Sequence, residues 1–196
     1  STLPVSTLQA IDPAAIVGFT SKNIVGLSND QVAALTPEQA AMLTPVHAKA
    51  LNLQVANLTS ADIDALQPVT LAAITPAGFA KLVPTAFASM TVDQIAKITV
   101  AQIASITTPQ LQAITDQSVG FNVAQLAKLT AEQATQLTPT AISALDPKAI
   151  GKLNITKFDA KDIAALSGDQ IAALTATTLQ IGGLDATGVS YLTADQ

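Results

Sequence analysis

This 196-residue chain has no cysteine, no tryptophan and no arginine, and only 3% of its residues are aromatic. Without cysteine there is no disulfide and no thiol chemistry, which fits an exported bacterial protein as well as a cytosolic one. Nine basic residues, all lysine, face fourteen acids, for a net charge of −5. Nucleic-acid binding needs basic density against phosphate, and that density is missing. Anionic membrane surfaces are disfavoured for the same reason. No apolar run is long enough to cross a bilayer, so insertion of this segment is not expected. Gly-rich phosphate loops, a Ser/His/Asp set and paired carboxylates are all lacking. The chain is therefore read as no enzyme, with no cofactor and no metal.

What is present is one eight-residue unit written about twenty-three times. Clear copies run Leu35-Thr36-Pro37-Glu38-Gln39-Ala40-Ala41-Met42 and Thr91-Val92-Asp93-Gln94-Ile95-Ala96-Lys97-Ile98. With positions labelled a to h from the leading Leu or Ile, b is nearly always Thr, Ser, Asp or Asn. These residues cap the free N–H groups of a helix start. Eight of the ten prolines, among them Pro13, Pro37, Pro76 and Pro147, stand at c, where a first helical residue needs no N–H. Gln recurs at e, as in Gln31, Gln94 and Gln170, and completes a Thr-x-x-Gln capping box. Acids gather at d and several lysines at h, matching the two ends of the helix dipole.

A single long helix fails, because eight residues rotate its apolar stripe by roughly 80° per copy. Its prolines would also cost about 3 kcal/mol each. A β-solenoid needs alternation of period two, whereas the apolar residues here fall at f and the next a, three apart. The pattern predicts an all-α solenoid in which each octad supplies one short capped helix and a bend. Helices this short cannot stand alone, so they must stack on neighbours. The predicted core is the f residues Ile95, Ile103, Leu111, Ile163 and Ile171 with the a residues Leu35, Leu43, Leu129, Leu137 and Leu174. Phe79 and Phe87, both at f, predict a locally thicker core.

The repeat predicts one continuous array over 1–196. Its rhythm slips at the seven-residue steps Leu51–Leu58 and Ile114–Phe121, at the five-residue step Leu153–Phe158, and at Leu174–Leu184, which carries Gly182-Gly183. Bends are expected there. The last residues, Leu192–Gln196, fill a to e of another octad, which predicts a fragment of a longer array.

Four features invite chemistry. His47, the sole histidine, takes position e and is expected to face solvent or cap its helix. Asp62 with Asp64, and Asp159 with Asp162, lack the alternating ligands, Gly turn and late Glu of a calcium loop. The threonine column at b (Thr36, Thr44, Thr75, Thr91, Thr99, Thr107, Thr115, Thr130, Thr138) would suit an ice-binding ladder, but Pro at c and Gln at e make sense only if those hydroxyls are caps.

Tandem Leu-Thr/Ser-x-x-Gln-Ile/Val-Ala-x-Leu runs resemble the octapeptide arrays of very long secreted bacterial surface proteins, known as adhesin-like or haem-utilisation-or-adhesion proteins. The resemblance covers nearly the whole chain. It implies an extracellular or cell-surface stalk, spacer or adhesive segment, active in cell–cell contact or biofilm. It carries over no catalytic residue. The Thr-x-x-Gln signature is also similar to the motifs of periplasmic Spy-like chaperones, which have longer helices and more charge, so that likeness reduces to shared capping chemistry. Two partners are compatible with the array: a protein or glycan surface along its exposed c, d and h positions, and another copy stacked on an exposed solenoid end.

Overall fold

Each octad starts a helix at its b residue. The Thr99 hydroxyl accepts from the Gln102 N–H at 3.2 Å, while the Thr99 N–H donates to Gln102 Oε1 at 2.8 Å. The same reciprocal box opens the helices Asn29–Ala33, Pro37–Ala41, Ser60–Ala65, Val92–Lys97 and Ala131–Ala134. Asp12 and Asp146 instead cap the second N–H, on Ala14 and Lys148. Pro37, Pro45, Pro76, Pro139 and Pro147 stand in first turns, where no carbonyl waits for their missing N–H. Most helices then last four to six residues, such as Pro76–Phe79 and Val100–Ser105, before the chain bends at the next a.

The computed structural model describes residues 3–177, and among these there is no strand. The fold is an all-α solenoid of short helices. The slip at Leu174–Leu184 past Thr177 and the partial octad Leu192–Gln196 lie outside the described residues. Backbone contacts divide the chain into two units, Ser1–Ile106 and Thr107–Gln196.

In the first unit every helix packs on the third one after it. Ser21–Val25 lies against Pro45–Leu51, which lies against Pro68–Leu71, which lies against Val92–Lys97. Pro13–Gly18, Pro37–Ala41, Ser60–Ala65 and Pro84–Ser89 form a second such column. Val5–Gln9, Asn29–Ala33, Asn52–Asn57, Pro76–Phe79 and Val100–Ser105 form the third. One superhelical coil is thus three octads, and the unit has three faces.

Where the octad loses a residue, the local structure changes while the stacking continues. Asn52–Asn57 and Asp116–Gly120 are 3-10 segments. A 3-10 turn rises about 2.0 Å per residue against 1.5 Å for an α-helix, so fewer residues span the same side. Pro13–Gly18 is 3-10 as well, within a full octad. In the second unit the five-residue step has no helix, and Leu153 and Ile155 still point inward with no exposure. An Asn154 side chain closes that turn by accepting from the N–H and hydroxyl of Thr156. Pro139–Ala144 consequently packs on Ala160–Ala164, and Pro147–Ile150 on Gly168–Thr177, at the same three-element interval.

Ile95, Ile103, Leu111 and Ile163 have no exposed surface, and Ile171, Leu35, Leu43, Leu129, Leu137 and Leu174 are buried with them. Phe79 and Phe87 meet edge to face at 5.2 Å between ring centres. That geometry suits the aromatic quadrupole and fills the thicker core the two positions predicted.

Candidate functional site

The polar side chain that recurs at position e turns inward in all three columns of the first unit and in the second unit. Gln39, Gln94, Gln102, Gln110, Gln125 and Gln170 are all 1% exposed or less. A capping box explains why one amide oxygen is buried, but not why the NH2 is. The NH2 reaches the preceding coil. Gln39 Nε2 donates to the carbonyls of Leu8 and Ile11 at 2.8 and 2.9 Å. Gln102 Nε2 donates to Leu71 and Ile74 at 3.0 and 2.8 Å. Gln94 reaches Ile63, Asp64 and Leu66, and Gln170 reaches Ile142 and Leu145. Apart from Asp64 at g, these acceptors are f and a carbonyls at helix ends; the f carbonyls also accept from the N–H of the following a residue, so the amide adds a second donor there. One side chain therefore seals the start of its own helix and the end of a helix one coil earlier.

Capping chemistry alone did not reveal this second role. A sequence signal for it exists: a capping box accepts Glu as readily as Gln, yet both glutamates of the chain, Glu38 and Glu132, stand at d. Glutamate has no hydrogen to give a carbonyl, so only the amide serves both ends.

His47 fits the same scheme and is not solvent-facing. It is 2% exposed, its Nδ1 accepts from the Thr44 N–H at 3.2 Å, and its Nε2 lies 2.7 Å from the Phe19 carbonyl. The capping half of the expectation holds, and the imidazole bridges coils as the amides do. Thr70 and Gln54 perform the bridge alone, onto Leu43 and Leu27.

Asp62 and Asp162 are the departures. Neither lies in a cluster able to hold a metal among the described residues. Both are capping residues at e, buried, with too short a side chain and no amide hydrogen. Asp62 Oδ2 accepts from the Thr59 N–H and hydroxyl at 2.8 and 2.7 Å, while Oδ1 is buried with no partner. Allowing for the seven-residue step, the Val32 and Leu35 carbonyls hold for Asp62 the register places that those of Ile63 and Leu66 hold for Gln94. Burial pushes the Asp62 carboxyl above the usual range; the Thr59 bonds oppose this, and the Glu38 charge adds to it. Burial raises Asp162 as well, with the Asp159 N–H and Lys161 opposing and the Asp159 charge adding to it.

A raised carboxyl binds its proton more tightly in the folded state. Its stabilising contribution is therefore complete below the ordinary carboxylate range and is lost as pH climbs through the folded value. Asp62→Asn places a donor where the orphaned oxygen sits. It is expected to add about 1 kcal/mol at neutral pH and to flatten the rise in melting temperature that the raised carboxyl predicts on acidification. Thermal melts of both proteins from neutral to mildly acid pH would show this. An unchanged pH slope in the variant would refute the assignment.

The threonine column is occupied as expected: Thr36, Thr44, Thr75, Thr99 and Thr138 accept helix N–H groups. Thr115 is the exception, its hydroxyl turned to Gln117 Oε1 in the shortened step. Among the described residues, two concavities stand out. One of about 600 Å³ is lined by Leu3, Phe19, Lys22, Gly26 and Leu27 at the first coil. The other, about 350 Å³, is lined by Gln112, Gln136, Thr138, Asp159 and Asp162 in the second unit. Among the described residues no helix is long and apolar enough to cross a membrane. No protein-family model and no curated protein matches the chain.

Proposed function

We propose that this chain is a non-catalytic structural module, a stalk, spacer or adhesive segment of a bacterial cell-surface or secreted protein. The observation that carries this reading is the use made of its polar groups. The hydroxyls at b and the amides at e, which a binding or catalytic surface would present outward, are turned inward as caps and coil bridges. What faces out is a repeating relief of short helices whose reach grows with copy number. Stacked helices lie about 8–10 Å apart, so each three-octad coil adds that increment of height.

The test is replacement in the producing cell. A spacer is expected to be exchangeable for an unrelated solenoid of equal length, with surface display and attachment retained. Loss of attachment despite correct length and display would move the reading to the second one, a scaffold that binds a protein or glycan along one face. That second reading is favoured by one observation, the uneven distribution of exposed valine and lysine over the faces of the first unit.

A further inference from the structure

The three faces of the first unit differ in charge and polarity. The column Ser21–Val25, Pro45–Leu51, Pro68–Leu71 and Val92–Lys97 displays Val25, Val46 and Val69 at 60%, 60% and 58% exposure, with Val92 at 44%. It also carries exposed Lys22, Lys49 and Lys97 against a single acid, Asp93. The column Pro13–Gly18, Pro37–Ala41, Ser60–Ala65 and Pro84–Ser89 carries exposed Glu38 and Asp64 and no lysine, with Asp12 capping its first member. Valine is a poor choice for an exposed helical position, since its branched side chain loses rotamer freedom there and gains no contact. Exposed valine occurs elsewhere in the unit, at Val17, Val83 and Val100, but only this column shows one on each of four successive coils. Glu38 and Asp12 serve their own helix starts, but Lys22, Lys49 and Lys97 are in no ion pair: among the described residues the one ion pair, Lys157 with Glu132, belongs to the second unit.

We propose that this chain associates laterally with a second copy of itself, the valine–lysine face of one copy seated on the acidic face of the next. The inference goes beyond the structural reading above but does not require it, since it rests on the faces alone. The partner is argued from complementarity. The acidic face offers the opposite sign at the same coil spacing, because both faces belong to one superhelix. It also offers exposed Val17 and Met42 to the valines. A contact between two different faces leaves one of each free on every pair, so it propagates as an open assembly instead of closing as a dimer. That property would suit an adhesive surface segment.

The test is sedimentation velocity on the full 196-residue chain across concentration and salt. Wild type is expected to associate with rising concentration and to dissociate as salt screens the charges. Lys22→Glu with Lys49→Glu makes both faces acidic, and Glu38→Lys with Asp64→Lys makes both basic. Each variant alone is expected to remain monomeric, and an equimolar mixture to associate again. Val46→Ser with Val69→Ser is expected to weaken association about tenfold, and it decides the matter should a charge swap fail to fold. A wild type that is monomeric at every concentration overturns the proposal. So does association that survives both swaps, which would indicate end-to-end stacking, or retention on an acidic polysaccharide with no self-association, which would assign the face to a glycan. Length-replacement in the cell and self-association in solution fail independently.

Discussion

Gln102→Ala is expected to lower stability by about 3–4 kcal/mol, more than any cap residue would. The amide accepts from the Thr99 N–H and hydroxyl and donates to the Leu71 and Ile74 carbonyls. Each internal bond is worth about 1 kcal/mol net; the Leu71 carbonyl keeps the Ile74 N–H, while the buried Ile74 carbonyl loses the amide donor at further cost. The sharper variant is Gln102→Glu. It preserves the capping box, so a side chain that only capped its helix would tolerate the change. Here it turns a carboxylate oxygen toward two carbonyls and buries a charge at a site with no exposure. The expected loss is again about 3 kcal/mol. Urea unfolding monitored by circular dichroism reads both, as a lower midpoint with an unchanged slope. A silent Gln102→Glu would show that the coil bridge contributes nothing.

Gly78→Gln is the second large effect, and its sign opposes the pattern of the repeat. Gly78 stands at e, where the repeat most often has Gln, so a consensus repair would place Gln there and gain about 1 kcal/mol of helix propensity. A Cβ at this position would lie 2.5 Å from the Asn52 carbonyl oxygen and 3.1 Å from a Val55 methyl. The nearest obstacle is backbone, in the one described non-glycine residue with positive φ, Asn52 at 47°. It is held further by the Thr75 hydroxyl, which donates to Asn52 Oδ1 at 3.0 Å. Relief requires the coil to move, and the net expectation is a loss of about 2 kcal/mol or more. A variant that melts at or above wild type would mean that the seven-residue step yields easily.

The two cases divide what could be read from the chain. The cap at Thr99, the first-turn prolines and the f and a core follow from the order of residues within eight. Helix starts, short helix length and the inward apolar edge are local properties, set by neighbouring atoms and independent of the coil around them. The shortened steps were also visible as miscounts, and each kept its place by changing its rise per residue: 3-10 at Asn52–Asn57 and Asp116–Gly120, turn at 153–158.

Other features required the third dimension. That Gln102 meets Leu71 and Ile74, that His47 is buried against Phe19, and that Gly78 must be glycine all depend on which octads lie on one another. So does the gathering of Lys22 and Lys49 on one face and Glu38 and Asp64 on another. The sequence by itself determined an all-α array of capped short helices with f and a inside. Only the tertiary structure decided that the array closes a coil every three octads, and with it the pairing of e with carbonyls 28 and 31 residues earlier. The physical reason is that the closure comes from the bend between successive helices, about a third of a turn each time. Packing across the whole coil fixes that angle, and a period of eight would read the same whether three octads closed the circle or some other number did.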